Sequence, residues 1–394
     1  MKTPHLLSLL PCLALILAPL TAAEQPLDAL ISNNLNFAAA QYTHLLGQMK
    51  GKEGLPRTFE NGELKLIQPR DWTSGFFAGS LWQLFEATGA PSWREAAQHY
   101  TALIEPVKNN RNTHDLGFML YCSHGQGLRL TGDAQYRDVL LTGAASLITR
   151  FNPTVGSIMS WNPRRGWLFP VIIDNMMNLE LLTWASRTSG DPQFRDIAVA
   201  HADTTLRNHF RPDGSSIHVV DYDPATGAIR GRQTHQGAAD TSAWSRGQAW
   251  GLYGYTMMYR ETRQPSHLAQ AQVIAGFLMN HPRLPADKVP YWDFDAPGIP
   301  DVPRDVSAAA IMNSALFELS THVAGDDAAR YRTFAIAQLR SLASPAYRAK
   351  VGENGGFLLM HATGNMPSNG EVDVPLNYAD YYFLQALLRA RASL

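Results

Sequence analysis

The sequence predicts an all-α protein, a closed (α/α)6 toroid of six helical hairpins. Apolar residues recur with helical spacing in twelve segments, and strand patterns are few and short. A similar short join also recurs between neighbouring segments, which is typical of a repeated helical hairpin. The 394-residue chain is long enough to bury a core of this size.

The predicted helices follow in chain order from the apolar period. A first helix covers about 27–48 and a last helix about 377–393. The last helix would pair with the first and close the ring; the alternative, an open superhelix, would normally carry polar capping repeats. The five hairpins between them cover about 73–107, 115–150, 175–209, 244–281 and 305–345, and the strand-like segments are Ser216–Val220 and Gly355–Leu359.

The recurring join combines a helix-ending glycine with a residue that opens the next helix. Glycine takes the left-handed conformation that ends helices, whereas Asp, Ser or Pro favours a helix start. Glu261–Gln264 followed by Pro265 is a looser copy. The other copies are Ala87–Ala90, Leu130–Asp133, Thr188–Asp191 and Val323–Asp326.

Residues 1–23 have the pattern of a secretory signal. Lys2 and His5 precede the apolar run Leu6–Leu20, and small residues precede Glu24. We therefore expect one catalytic domain over 24–394 and a periplasmic or secreted protein. Removal of the signal would leave Cys122 alone, so we expect no intramolecular disulfide and a buried, inert thiol.

The net charge of −1 predicts no nucleic-acid partner and no anionic membrane surface. If the substrate is anionic, the positive charge that meets it must be local. Asp221–Pro224 and Asp293–Asp295 lack the remaining ligand spacing of a calcium loop and are predicted as turns. We expect a monomer or weak homodimer.

Four aspartates stand at the predicted starts of inner helices: Asp71, Asp115, Asp174 and Asp305. In a toroid the long connections before these helices gather at one end, where function usually lies. Carboxylates beside tryptophans indicate a carbohydrate site, and paired carboxylates are usual in glycosidic chemistry. We expect Asp71 and Asp305 to be helix caps or indirect supports.

Asp174 lies among large apolar residues in Ile172–Asn178. On this segment alone a helix N-cap is the favoured interpretation. The alternative is a catalytic carboxylate whose pKa is raised by burial. Backbone N–H groups bonded to a capping carboxylate would instead lower that pKa, so the two roles oppose each other.

Two further residues, Arg246 and His218, have two interpretations each. Arg246 and Trp250 are four apart and share a helix face. Arg246 could bind a substrate carboxylate or pair with a nearby Asp. His218 stands beside apolar residues, where a histidine is more often structural than part of a site.

At these residues the sequence resembles the unsaturated glucuronyl hydrolases, glycoside hydrolase family 88, from about residue 27 to the end. The resemblance rests on several ordered motifs, and the toroid of that family agrees with the helix count. The motifs are Trp72–Phe76, His114–Phe118, Ile173–Leu179, His235–Gly237, Trp244–Gly254 and Ala379–Tyr382.

The resemblance implies removal of a non-reducing-end Δ4,5-unsaturated uronic acid from lyase-made oligosaccharides by hydration of its C4=C5 double bond. Asp174 would protonate C4 and then act as base for the water that adds at C5. Asp115 matches a second essential carboxylate, which holds ring hydroxyls, and the resemblance implies no metal or organic cofactor. Positions implied to contact substrate are Trp72, His114, Trp161, His218, Gln236, Arg246 and Trp250.

The late segment Met366–Asp373 is acidic, where some family members carry a Ser- and Lys-containing motif for sulfated fragments. We therefore expect no strong preference for sulfated fragments, and chondroitin, hyaluronan, heparin, gellan and ulvan remain open as parent polysaccharides. The alternative functions are an unsaturated rhamnogalacturonyl hydrolase, an N-acyl-hexosamine epimerase and a periplasmic sugar-binding toroid without catalysis.

Overall fold

The computed structural model describes residues 25–394, so the predicted signal, residues 1–23, lies outside the described residues. The described part contains twelve α-helices, close to the predicted bounds. They are α1 (Leu27–Met49), α2 (Ser74–Thr88), α3 (Pro91–Ala102), α4 (Gln126–Thr131), α5 (Ala134–Ile148), α6 (Leu179–Ser189), α7 (Pro192–Asn208), α8 (Ser245–Thr262), α9 (Pro265–Asn280), α10 (Val306–Leu319), α11 (Gly325–Leu342) and α12 (Asn377–Ala392).

The even-numbered helices form an inner ring. Neighbouring inner helices contact each other, with α4 joined to α6 through the π-helix Gly117–Gly125 that precedes α4, and α12 contacts α2, so the ring is closed. The odd-numbered helices pack outside, each against its inner partner, with α1 against α12. The predicted (α/α)6 toroid is confirmed, and the open superhelix is wrong.

The helix joins mostly use the predicted chemistry. Gly89, Gly132 and Gly190 end inner helices with φ of 69°, 70° and 77°, in the left-handed region. In the looser copy, Arg263 takes this conformation without glycine (φ 58°). The fourth join differs, since α10 ends at Leu319 and Gly325 begins α11 instead of ending α10.

Nine short strands lie in the long connections. They are β1 (Leu55–Glu60), β2 (Glu63–Ile67), β3 (Phe151–Asn152), β4 (Ser157–Ile158), β5 (Phe169–Ile172), β6 (Val219–Tyr222), β7 (Ile229–Gln233), β8 (Ala362–Asn365) and β9 (Gly370–Val374). The antiparallel sheet β5–β6–β7 includes part of predicted Ser216–Val220. The predicted strand Gly355–Leu359 is wrong, because Gly355 and Gly356 take positive φ values that break extended structure.

Two inner helices begin irregularly, and both irregular segments adjoin candidate aspartates. A π-helix, Gly117–Gly125, precedes α4 and follows Asp115; a 3-10 helix, Ile173–Asn178, precedes α6 and contains Asp174. Irregular helical segments of this kind are frequent at functional sites. The π-helix lies so close to α2 that a Cβ at Gly75 would overlap the carbonyl oxygens of Phe118 and Met119.

We predict that Gly75→Ala lowers the thermal midpoint strongly, since rigid backbone must move to admit one methyl group. The matched control is Gly276→Ala in α9, where a Cβ meets nothing within 4 Å. Because glycine is costly inside a helix, the control should be neutral or stabilising by about 0.5–1 kcal/mol. Equal midpoints for the two variants would contradict this close approach of α2 to the π-helix.

Candidate active site

Asp174 is buried in the 3-10 helix and caps nothing. Ile172 occupies the N-cap position, and no side chain bonds the free N–H groups there. The carboxylate is 7% exposed, and its Oδ2 has no hydrogen-bond partner. The N-cap interpretation of Asp174 is therefore wrong, because the backbone starts its helical turn before this residue.

Burial raises the pKa of Asp174 to about 7. Desolvation of the charged form is the main cause; the positive charge of Arg246 lowers the pKa, and the negative charge of Asp115 raises it. At neutral pH this carboxyl group therefore exchanges a proton readily, which a general acid and base needs.

His218 faces Asp174 from the sheet β5–β6–β7. Its Nδ1 accepts hydrogen bonds from the backbone N–H groups of His235 and Gln236, both at 3.2 Å. The proton of the neutral ring is thereby assigned to Nε2, which lies 3.8 Å from Asp174 Oδ2. Burial lowers the pKa of His218 well below its usual value, so the ring stays neutral.

Asp115 lies at the start of the π-helix. Its carboxylate accepts from Thr113 Oγ1 at 2.6 Å and lies 3.1 Å from His114 Nε2. His114 is buried, and desolvation lowers its pKa. Asn178, four residues after Asp174, accepts from the backbone N–H of Phe118 at 3.0 Å, which fixes the two aspartate-bearing segments together.

Aromatic side chains form one wall of the site. Trp250 is fully buried, contacts Phe118 and Tyr382, and has an indole N–H without a hydrogen-bond partner. Trp72 is half-buried and contacts Phe118 and Tyr378. Flat apolar rings beside unpartnered polar atoms suit a sugar, which offers apolar faces and hydroxyl groups.

Arg246 does not present a free fork to the mouth of the ring. It is 1% exposed and pairs with Asp305 Oδ2 at 2.9 Å. Its terminal nitrogens also donate to the carbonyl oxygens of Thr363 and Gly364. The structure thus has the ion pair, and a substrate carboxylate would have to compete with these partners.

The side chains of Gln236 and of the acidic late segment, Met366–Asp373, bond to other residues of the chain. Gln236 Nε2 donates to Gly364 O at 2.9 Å, next to the Arg246 contact. Glu371 pairs with Arg57, and Asp373 bonds His361 at 2.6 Å. The acids of this segment therefore stabilise the hairpin β8–β9.

Asp71 and Asp305 both support helix starts, as predicted. Asp305 Oδ1 accepts from Ser307 N at 3.0 Å and caps α10. Asp71 Oδ1 accepts from Thr73 N at 2.9 Å just before α2 and pairs with Arg57. Cys122 is buried, and burial raises the pKa of its thiol, as expected for an inert side chain.

Trp161 stands at the outer edge of the site, with neighbours that the sequence analysis missed. Its ring stacks on Trp167 at 5.7 Å and lies 6.3 Å from the His218 ring. His235 and Arg164 also contact Trp161. In the sequence, this edge of the site is indicated only by the dipeptide Arg164–Arg165, which follows Trp161.

The two segments predicted as turns, Asp221–Pro224 and Asp293–Asp295, each contain an aspartate that stabilises the fold. Asp221 lies in β6, where it accepts from the backbone N–H groups of Leu168 and Phe169. Asp293 is buried and accepts from Ala238 N and Ser242 Oγ. Within residues 25–394, no three His, Cys, Asp or Glu side chains are grouped to hold a metal ion.

A closed helical toroid with acidic and aromatic side chains at the inner-helix starts defines a carbohydrate-active enzyme. The family model described as Glycosyl Hydrolase Family 88 matches residues 54–284. The chain is 49% identical over 353 residues to an unsaturated glucuronyl hydrolase from Formosa agariphila, covering 89% of this chain and 88% of that protein. This chain belongs to glycoside hydrolase family 88.

Further relatives agree over nearly the whole chain. An unsaturated chondroitin disaccharide hydrolase from Streptococcus pneumoniae is 33% identical, with 85% of each chain covered. A crystal structure of an unsaturated glucuronyl hydrolase specific for heparin has a TM-score of 0.90 and 47% identity, covering 93% of this chain and 98% of that one. The protein is thus an unsaturated glucuronyl hydrolase in class, an enzyme and not a sugar-binding protein without catalysis.

The raised pKa of Asp174 predicts how Asp174→Asn changes stability. An unfolded Asp titrates near about 3.9. In the folded protein the pKa of Asp174 is about 7, so the folded state binds this proton more tightly. The free energy of unfolding therefore falls as the pH rises from about 3.9 to about 7, and the loss is complete above that pH. Asparagine removes this loss, so the thermal midpoint of the variant should exceed that of wild type by roughly 2 °C or more at pH 8.

The gain from Asp174→Asn should be smaller at pH 5, where wild-type Asp174 remains protonated. Asp138→Asn, at an exposed position on α5, is the control and should show no such pH dependence. Thermal unfolding at both pH values measures the difference. A gain as large at pH 5 as at pH 8 would contradict the burial of an ionisable Asp174.

Proposed function

We propose that Asp174 is the general acid and base by which this enzyme hydrates the C4=C5 bond of a terminal Δ4,5-unsaturated uronic acid. The observation that carries this proposal is the buried carboxyl group with a pKa near 7 and an unpartnered Oδ2. A related structure from Streptococcus agalactiae, 29% identical with a TM-score of 0.79, is a mutant complexed with dGlcA-GalNAc6S. That ligand supports an unsaturated uronic acid at this site.

In the proposed first step, protonated Asp174 gives its proton to C4, and the C4=C5 electron pair forms the new C–H bond. Positive charge develops at C5 and is shared by the ring oxygen. Ionised Asp174 then takes a proton from the water that adds at C5, so the group returns to its starting state. One carboxyl group serves both proton transfers, which requires a pKa near the working pH.

The resulting C5 hemiketal breaks down without further catalysis. Its ring C5–O bond opens to a ketone, which leaves a hemiacetal at C1. That hemiacetal releases the remaining sugar as an alcohol and leaves a 4-deoxy-5-keto uronic acid. The glycosidic oxygen therefore stays with the leaving sugar, and the added water oxygen ends at C5.

The other residues would bind and orient the substrate. Asp115 would hold ring hydroxyls as an acceptor. The His218 Nε2–H, held by its two backbone bonds, is aimed at the space beside Asp174 Oδ2. A distance of 3.8 Å is too long for a hydrogen bond but short enough to close on a bound substrate. Trp72 and Trp250 would contact the apolar face of the sugar.

We also propose that residues 1–23 direct export and that the mature enzyme acts in the periplasm or outside the cell. The support is the sequence pattern of that segment. Within residues 25–394, no helix has the length and apolar character to cross a bilayer. N-terminal sequencing of the exported protein should begin near Glu24; retention of the uncleaved segment would reject this.

The proposed chemistry predicts loss of ultraviolet absorbance, because hydration destroys the conjugated enol carboxylate. We expect wild type to remove this band from at least one of the lyase-made fragments of chondroitin, hyaluronan, heparin, gellan or ulvan. Asp174→Asn should slow this by roughly a hundredfold or more, since asparagine cannot transfer the proton. Asp191→Asn makes the same change at the exposed N-cap of α7, where asparagine can still accept the capping hydrogen bond, and should keep the wild-type rate.

Two results would oppose the proposal in different ways. If wild type leaves the band intact on every uronide but acts on unsaturated rhamnogalacturonan fragments, the substrate class is wrong. If Asp174→Asn keeps a near-normal rate, the role of Asp174 is wrong although the enzyme class stands.

A further inference from the structure

Two arginines already described at the site, Arg246 and Arg57, are both paired with carboxylates. Arg246 is used by Asp305 and two carbonyl oxygens. Arg57 is used by Asp71 and Glu371. In the described part of the chain, exposed positive charge that no carboxylate balances lies instead at the edge of the site, in Arg164 and Arg165.

These two adjacent arginines stand at the mouth of the site. Arg164 and Arg165 occupy an exposed turn between Trp161 and β5, closed by a hydrogen bond from Trp167 N to Arg164 O at 2.9 Å. Arg165 has φ of 53°, a left-handed conformation that is uncommon for a residue with a side chain. The turn therefore fixes the backbone of both residues beside Trp161.

Both arginines are joined to the site through aromatic rings. The Arg164 guanidinium lies 4.0 Å from the Trp161 ring, and Trp161 lies 6.3 Å from the His218 ring, which faces Asp174. Arg165 Nη1 lies 3.0 Å from His235 Nδ1. The order from the base of the site to its edge is thus carboxylate, histidine, tryptophan and arginine pair.

Within residues 25–394, no carboxylate forms an ion pair with either guanidinium; their contacts are the Trp161 ring and His235. Burial, then the like charge of Arg165, lowers the pKa of Arg164. Burial and both arginines lower the pKa of His235 to about 4, so His235 is neutral and accepts from Arg165. Two unmatched positive charges this close repel each other, and an oxyanion between them would relieve the repulsion.

We propose that Arg164 and Arg165 form a subsite for an oxyanion, either a sulfate or a carboxylate, on the sugars that follow the unsaturated uronate. Trp161 and Trp167 would contact the ring of the sugar that carries it. Guanidinium groups suit this role because their planar donors match both oxyanions. This subsite deepens the proposed function and rests on it.

The test is the double variant Arg164→Gln/Arg165→Gln, measured by loss of the ultraviolet band. The reference substrate is an unsulfated unsaturated disaccharide, whose only charge is the terminal uronate itself. One arm uses disaccharides with a single sulfate on the second sugar. The other arm uses an unsulfated hyaluronan tetrasaccharide, whose third sugar adds a carboxylate.

We expect kcat/KM to fall about tenfold, the value of one charge-assisted contact, on at least one charged arm, and less than twofold on the reference. A fall on sulfated disaccharides alone identifies a sulfate as the ligand; a fall on the tetrasaccharide alone identifies a carboxylate. The selective fall should shrink at high salt, because exposed charges are screened.

Two further variants separate charge from packing. Arg164→Lys/Arg165→Lys keeps both charges but loses the planar donors, so it should recover part of the lost kcat/KM, whereas a role only in packing of the guanidinium on Trp161 would not be rescued. Arg137→Gln, an exposed arginine on the outer helix α5, should alter none of the three substrate classes.

The outcomes distinguish this inference from the proposed function. If wild type hydrolyses the reference but the double variant loses equally on all substrates, or on none, the subsite is rejected alone. The subsite is also rejected if wild type hydrolyses the reference but neither the sulfated disaccharides nor the tetrasaccharide. If wild type leaves every fragment intact, the proposed function fails, and the subsite falls with it.

Discussion

The site depends on how one buried positive charge is balanced. Arg246 lies beneath the mouth with almost no exposure, and its charge lowers the pKa of Asp174. Asp305 takes up that charge at 2.9 Å. Asp174 is the other carboxylate that raises the pKa of Arg246. Without Asp305, the unpaired guanidinium would therefore favour the ionised form of Asp174. The ion pair thereby allows burial to keep Asp174 partly protonated at neutral pH.

A raised pKa by itself does not identify the reacting carboxylate in this protein. Burial also raises the pKa of Asp380 to about 7. Asp380, however, accepts from the backbone N–H groups of Leu358 and Leu359 and from the Tyr42 hydroxyl, so both oxygens are used to hold the segment before β8. Asp174 Oδ2 has no partner and faces His218. The pKa values of Asp380 and Asp174 are alike. What separates structural Asp380 from the proposed catalytic Asp174 is the unpartnered Oδ2 of Asp174.

The ring could be predicted from sequence because its signals are local: a helical apolar period, and joins in which glycine and aspartate stand at fixed places. The site could be predicted only in part. The N-cap interpretation that the segment alone favours for Asp174 fails because the 3-10 turn starts at Ile173, one residue before Asp174, a matter of backbone geometry. The partner of Arg246 lies 59 residues away, so sequence showed an arginine and several acids but not the pair. The tautomer of His218 likewise depends on distant backbone N–H groups.

The same electrostatic constraint explains why Arg164 and Arg165 lie at the mouth of the site. A free guanidinium at the base of the site would act on Asp174 at low dielectric and drive it to ionise. At the exposed edge, water and salt weaken that action within about 10 Å. The proposed mechanism, in which Asp174 must stay protonated beside an anionic substrate, therefore favours unmatched charges at the mouth and a neutralised charge at the base of the site. Arg164 and Arg165 satisfy the first requirement, and the pairing of Arg246 with Asp305 satisfies the second.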